Sequence, residues 1–180
     1  QIFRGSGAGA GEIGHTIMIP DGGLPCRCGH SGCLETLITE PVIVRHAHEI
    51  ASEHPESLLA KLLNQNDADL RPIDAIFEAA RQGDEYTKNM LAKRIRYLGI
   101  ALANLVDVIN PEMILLGGMF AEGQDIIRPI AQQVMQEFAF SGLGDKVTLQ
   151  PTSFGWRAGA IGAASLALMD FFYQRTNGSL

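Results

Sequence analysis

The chain has 180 residues, which suits one domain that is large enough to bury a core without disulfide bonds. Its formal net charge of −6 and its lack of any Lys/Arg cluster argue against nucleic-acid binding by this chain itself, because neutralising phosphates requires a basic surface. No apolar run is long enough to span a bilayer, so we expect no membrane contact, and an odd number of cysteines favours the reducing cytoplasm.

The first two parts of the chain are a loop region and a helical region. The sequence begins at Gln1 within a glycine-rich segment, so we expect it to be a fragment of a longer protein or a processed chain. In the first part, residues 1–40, Thr16 to Ile19 reads as a strand that leads into a cysteine-containing loop. The second part, residues 41–109, is predicted to be helical, with helices that start near Pro41, Glu56, Pro72 and Glu85.

The helix predicted over Glu85 to Ile109 is the longest element. Its large apolar residues recur at alternating steps of four and three, which places them on one face of a helix. These residues are Leu91, Ile95, Leu98, Leu102, Leu105 and Ile109. A stripe of this length predicts a central helix that is covered on more than one side.

The third part, residues 110–180, alternates strands and helices, which is the pattern of an α/β layer. Met113 to Leu116 and Lys146 to Gln150 are predicted strands, and Gln124 to Phe138 is the helix between them. The last predicted helix, Ala158 to Phe172, is rich in alanine and glycine, so we expect it to pack closely against its neighbours.

All three cysteines lie in one stretch, and a histidine precedes them. Cys26, Cys28 and Cys33 form a C-x-C-x4-C pattern, and an Asp-Gly-Gly turn separates them from His15. Three thiolates and one imidazole suit tetrahedral Zn²⁺, and a closed set leaves no position for water, so this ion would be structural. His30 is the alternative fourth ligand. We favour His15 because it would tie the loop to a distant segment.

Two candidate ligand sites follow from the polar and glycine residues. Glu12, His15 and Glu35 lie at the borders of the cysteine loop, where such groups can bind the vicinal hydroxyls of a sugar. Glu35 also has a simpler explanation, as an acidic residue at a helix start. Gly117 and Gly118 follow an apolar strand and could admit a nucleotide phosphate, although a plain tight turn explains them equally well. We identify no catalytic residue in this chain.

Four motifs resemble one known family. GEIGH at 11–15, CRCGHSGCLE at 26–35, INPEMILLGG at 109–118 and AGAIGAA at 158–164 are similar to motifs of the ROK family, named for repressors, open reading frames and kinases of sugars. The resemblance implies the actin-like ATPase fold, which is ribonuclease H-like, in the α/β class. This chain would be its C-terminal lobe with a structural zinc loop.

The resemblance also implies particular site residues. The zinc ligands would be His15, Cys26, Cys28 and Cys33. The sugar contacts would be Glu12, His15 and Glu35, so that His15 would serve both the ion and the ligand through its two ring nitrogens.

The family contains regulators and kinases, and two features favour a regulator. Met119 stands where family kinases usually carry a third glycine, and residues 57–84 resemble the effector-domain segment of NagC/XylR-type transcriptional regulators. We therefore expect a sugar or sugar-phosphate effector, DNA binding through a winged helix-turn-helix before Gln1, and a homodimer or homotetramer. One alternative is the C-terminal half of an ATP-dependent, glucokinase-like sugar kinase, with ATP and Mg²⁺ as cofactors. The other is a zinc-stabilised interaction module without a ligand.

Overall fold

The computed structural model describes residues 3–7, 9–65 and 70–174. Ten regular elements follow in chain order: α1 (Glu35–Ile38), α2 (Glu40–Glu53), α3 (Leu58–Leu63), α4 (Pro72–Arg81), α5 (Glu85–Ile109), β1 (Met113–Leu116), α6 (Met119–Glu122), α7 (Gln124–Phe138), β2 (Thr148–Pro151) and α8 (Ala158–Leu168). β1 and β2 form a parallel pair, with Met113 opposite Thr148 and Leu116 opposite Pro151. The predicted α/β layer is therefore confirmed, and α6 and α7 connect its two strands.

Local capping explains where α5 begins and ends. Asp84 precedes the first turn, and its carboxylate accepts hydrogen bonds from the backbone N–H and the hydroxyl of Thr87, both at 2.9 Å. At the other end Asn110 takes a left-handed conformation with φ 48°, and Pro111 prevents continuation. The observed bounds of α5 match the predicted ones.

Helix α5 lies at the centre of the fold, as its apolar stripe predicts. It packs mainly along α7 and also contacts α1, α2 and α4. The two long helices approach closely at Gly99, where an added Cβ would lie 2.5 Å from the Cβ of Val134. Helix α5 is therefore the element against which α1, α2, α4 and α7 pack.

One continuous core joins the helical part to the α/β part. Its largest fully buried side chains are Leu59, Ile73, Ile76, Phe77, Leu91, Val106, Ile127 and Met135. Leu34 and Leu37, at the start of α1, belong to the same core. The chain that leaves the cysteine loop is therefore anchored in the body of the domain.

Ion pairs reinforce the contact between α4 and the α/β part. Arg71, just before α4, bonds to Asp74 at 2.7 Å and to Glu122 of α6 at 2.6 Å. Arg81, at the end of α4, pairs with Asp125 of α7 through two bonds of 2.8 Å.

Two expectations about the ends of the domain are wrong. Thr16 to Ile19 is not a strand: it makes one isolated bridge, Ile17 to Cys33, and the N–H groups of Met18 and Ile19 both bond to the carbonyl of Gly32. The N–H of Leu34 donates to the carbonyl of Thr16 at 3.0 Å, so these bonds complete one bridge and do not continue as a ladder.

The last helix is also different from the prediction. α8 ends at Leu168 and continues as a π-helix over Met169–Gln174, and no residue of α8 is buried. Its small residues allow close packing, but the part of the chain that the structure describes offers no surface against it. Within the same residues, we find no helix with the length and apolar character needed to cross a membrane.

Candidate metal centre and ligand site

The loop from residue 12 to residue 35 folds back on itself and brings its ends together. A short 3-10 turn, Ile13–His15, comes first, and the bridge between Ile17 and Cys33 then aligns the two sides. The tip is a tight turn in which the N–H of Cys26 bonds to the carbonyl of His30 at 2.8 Å. α1 begins directly after the loop.

This folding gathers the four predicted metal ligands. The ligand atoms of His15, Cys26, Cys28 and Cys33 all lie within 4.8 Å of one another. His15 Nδ1 is 3.5 Å from Cys26 Sγ, and Cys28 Sγ is 3.6 Å from Cys33 Sγ. Neighbouring ligands of a tetrahedral zinc ion are separated by about 3.7 Å, given its usual bond lengths. The cluster therefore has the size and the donor set that such an ion requires.

His30 is the less suitable fourth ligand. Its Nδ1 is 3.6 Å from Cys28 Sγ, yet it does not belong to the group of four whose ligand atoms converge. Hydrogen bonds from the backbone and side chain of His30 instead lower the pKa of Cys28 to about 6. His30 therefore stabilises the thiolate form of a neighbouring ligand.

The thiols of the cluster differ in their protonation. Burial raises the pKa of the Cys33 thiol to about 12, and its hydrogen bond with Cys28 acts in the same direction. A buried thiol of this kind gives up its proton when a cation binds, so metal binding at this cluster would be coupled to proton release.

The predicted sugar-binding residues lie around the same cluster. His15 Nε2, on the far side of the ring from Cys26, is 3.8 Å from a carboxylate oxygen of Glu12. Glu35 Oε1 is 3.6 Å from Cys26 Sγ, and the Glu35 side chain is 23% exposed. The structure thus places two carboxylates beside the Cys/His cluster, to which the His15 imidazole itself belongs.

Sequence reasoning missed Arg27, which is bound to Glu35. Arg27 Nε donates to Oε1 at 3.0 Å and Nη2 donates to Oε2 at 3.1 Å. This bidentate pair lowers the pKa of the Glu35 carboxyl. Little in the sequence indicates this ion pair, because Arg27 is only a basic residue between two cysteines of the cluster.

Gly117 and Gly118 belong to the α/β part, where they connect β1 to α6. The N–H of Thr152 bonds to the carbonyl of Leu116 at 2.7 Å and holds the end of β1 against β2. Met119 is buried, and the Phe120 side chain packs partly against the core. Their bulk therefore points inward rather than over the two glycines.

The Cys/His loop and the α/β end carry the four motifs that resemble the ROK family. The model of the ROK family matches residues 1–170, and the chain belongs to this family. Its motifs and its similarity to ROK kinase structures give it the actin-like ATPase fold.

The curated relatives include both kinases and repressors. The chain is 37% identical to a glucokinase of Halalkalibacterium halodurans, over 92% of this chain and 50% of that protein. It is 29% identical to the DNA-binding transcriptional repressor Mlc of Escherichia coli, over 94% of this chain and 38% of that protein. The chain spans only part of the length of these relatives, about half in the case of the glucokinase.

The similar solved structures also include both a kinase and a transcriptional regulator. A ROK family glucokinase from Streptomyces griseus, in complex with glucose and AMPPNP, superposes with a TM-score of 0.77 at 30% identity, covering 92% of this chain and 54% of that one. A ROK family transcriptional regulator that is a homologue of E. coli Mlc gives 0.70 at 29% identity, covering 83% and 36%. The family is therefore established, and its members include sugar kinases and transcriptional regulators.

Proposed function

We propose that this chain binds a sugar through Glu12, His15 and Glu35 and serves as the effector-binding part of a ROK-type transcriptional regulator of carbohydrate metabolism. The observation that carries the proposal is the convergence of these three side chains on one Cys3His cluster. The glucose in the related glucokinase structure supports a sugar as the ligand class.

Zinc would be held by His15, Cys26, Cys28 and Cys33, and it would act as a structural ion because four protein ligands leave no open position. His15 Nδ1 faces the thiols, so Nε2 is free to carry the proton and to donate a hydrogen bond. The metal would thereby fix both the ring orientation and the tautomer of a ligand-binding histidine. Free thiols of this kind persist in a reducing compartment such as the cytoplasm.

The polar groups suit a polyhydroxylated ligand. The carboxylates of Glu12 and Glu35 accept hydrogen bonds from hydroxyl groups, and the ring N–H of His15 donates one. Groups that accept and donate side by side match adjacent sugar hydroxyls, each of which can do both. A sugar with the wrong hydroxyl configuration would leave one of these polar groups without its partner, which costs affinity.

In a regulator, the sugar changes DNA binding only if it binds one arrangement of the protein more tightly than another. The DNA-reading element would be a winged helix-turn-helix outside this chain, and homo-oligomers would match palindromic operators. Two sequence features support the regulator: Met119 in place of a third glycine, and the segment 57–84, whose described residues include α3 and α4.

A second candidate is an ATP-dependent sugar kinase. It is favoured by the 37% identity to a glucokinase and by the burial of Met119, which leaves the turn at Gly117 and Gly118 uncrowded. Mg-ATP would then bind beside that turn, and the catalytic base would come from a lobe that this chain does not contain.

Calorimetric titration of the purified, zinc-loaded protein with a panel of hexoses tests the sugar site. Glu35→Gln should weaken binding of the best sugar by about tenfold, the loss of one hydrogen bond to a charged group, with unchanged zinc content. Glu53→Gln, at an exposed position of α2, is the matched control and should bind like the parent. Equal affinity of Glu35→Gln and the parent, or no heat with any sugar, would refute the site.

The two activities are separated by a second measurement, which is made on the full-length protein because the catalytic base and the DNA-reading element would both lie outside this chain. Sugar-dependent formation of ADP from ATP would establish the kinase. Sugar-dependent release of operator DNA, with no ADP formed, would establish the regulator.

A further inference from the structure

A cavity of about 370 Å³ adjoins the proposed sugar site, between the tip of the metal loop and the start of α2. Its polar wall consists of Arg27, Glu35, Thr36, Thr39 and Arg45. Glu35 is shared by the cavity and by the proposed sugar site. A ligand whose hydroxyl reaches Glu35 can therefore extend a substituent into this space.

The guanidinium of Arg27 has binding capacity left over. Glu35 accepts one hydrogen bond from Nε and one from Nη2, so the rest of the N–H donors of Arg27 remain available. Within the part of the chain that the structure describes, Arg27 has no other side-chain partner. Its backbone lies between Cys26 and Cys28, so a bound ion would hold its position firmly.

Arg45 provides a second cation with a weak partner. Its Nε is 3.9 Å from Glu49 Oε1, which is beyond hydrogen-bond distance, and its side chain is 61% exposed. The hydroxyl of Thr36 donates to the carbonyl of Cys33 at 2.7 Å, which leaves its oxygen as an acceptor only. The unsatisfied donors of this cavity therefore belong mainly to its two arginines.

The charges around the cavity select for an anion. Glu12 and Glu35 alone would repel a negatively charged sugar from a chain whose net charge is −6. Arg27 and Arg45 outnumber the single carboxylate that lines the cavity. Arginine is also the residue that binds phosphate and carboxylate groups with several parallel hydrogen bonds.

We propose that this cavity is an anion-binding subsite, in which Arg27 and Arg45 bind a phosphate or carboxylate substituent of the sugar whose hydroxyls contact Glu35. The inference rests on the proposed sugar site and names the class of its ligand: an acidic sugar, either a sugar phosphate or a uronic acid. Arg27 then has two roles, because it orients Glu35 and contacts the ligand directly.

The test is a calorimetric titration of the purified, zinc-loaded protein with matched ligands. Glucose is compared with glucose 6-phosphate, glucose 1-phosphate and glucuronate, and N-acetylglucosamine with its 6-phosphate. Inorganic phosphate alone is the control ligand. At least one acidic sugar should bind about tenfold more tightly than its neutral counterpart, the gain expected from charge-assisted hydrogen bonds.

Two arginine variants and a control connect this preference to the cavity. Arg27→Gln should abolish the preference for the acidic sugar, and Arg45→Gln should reduce it while leaving the ion pair between Arg27 and Glu35 intact. Arg128→Gln makes the same charge change at an exposed position of α7 and should leave the preference unchanged.

Failure of the inference can be distinguished from failure of the proposed function. Binding of neutral sugars with no preference for acidic ones overturns the subsite alone, as does a preference that survives in both Arg27→Gln and Arg45→Gln. Inorganic phosphate that binds as tightly as the sugar phosphate also overturns it, because the sugar would then contribute nothing. Absence of binding by every sugar overturns the sugar site itself.

Discussion

Replacing Gly32 with alanine should damage the metal loop far more than replacing Gly29. Both glycines have positive φ, +75° and +95° respectively, so alanine costs about 1 kcal/mol of backbone strain at either position. At Gly29 nothing lies within 4 Å of the added Cβ, whereas at Gly32 the Cβ would lie 1.8 Å from the carbonyl oxygen of Ile19. The backbone at Gly32 must therefore move.

That movement breaks the hydrogen bonds that hold the two sides of the loop together. The carbonyl of Gly32 accepts from the N–H groups of Met18 at 2.8 Å and Ile19 at 3.1 Å, and its N–H donates to the carbonyl of Leu24 at 2.9 Å. At about 1 kcal/mol for each bond, the total for Gly32→Ala is about 4 kcal/mol. The expected total for Gly29→Ala is about 1 kcal/mol.

The assay is urea unfolding of both zinc-loaded variants and the parent, together with chelator competition for the metal. Gly32→Ala should lose zinc affinity because the bridge between Ile17 and Cys33 holds the sides of the loop in register. If the free energies of unfolding of the two variants differ by less than about 1 kcal/mol, the size of one hydrogen bond, the steric reasoning is wrong.

Three further predictions concern the metal, the cap of α5 and the contact between the long helices. Cys28→Ser should lose stoichiometric zinc and part of the stability, and elemental analysis that still finds one ion per chain would contradict the assignment. Asp84→Ala should destabilise the fold by about 1 to 2 kcal/mol at pH 7 in urea unfolding. Burial opposes ionisation of Asp84, but its hydrogen bonds from Thr87 and Leu59 outweigh burial and lower its pKa. The difference in stability between Asp84→Ala and the parent should therefore vanish as pH falls below the ordinary carboxyl range and through that lowered pKa. A difference that persists at low pH would show that charge is not involved. Gly99→Ala should cost about 1 to 3 kcal/mol of stability despite the better helix propensity of alanine, because the added Cβ would overlap Val134. A variant that is more stable than the parent in thermal unfolding would show that α5 and α7 separate freely.

The sequence was most informative where structure depends on neighbouring residues. The bounds of α5 followed from Asp84, from Asn110 with Pro111, and from a stripe of apolar residues, and all of these act within a few residues. The spacing and chemistry of His15, Cys26, Cys28 and Cys33 also suggested a cluster, and the structure brings their ligand atoms together, while their role as metal ligands stays a prediction.

The sequence was least informative where structure depends on distant surfaces. The pair between Arg27 and Glu35 requires the loop to fold back, and nothing in the spacing of these two residues indicates it. The segment Thr16 to Ile19 has strand composition, but the return of the loop offers it only the carbonyl of Gly32 and the N–H of Leu34, which is enough for one bridge. Composition also predicts that α8 can pack closely and does not say against what.

The exposure of α8 has a consequence for how the end of the domain folds. A helix shorter than about 12 to 15 residues is only marginally stable in water on its own. α8 has 11 residues, and its larger apolar side chains remain accessible, with Ile161 at 37%, Leu166 at 48% and Leu168 at 53%. The order of α8 therefore gains little from burial within the described residues, whereas α5 gains its order from the core around it.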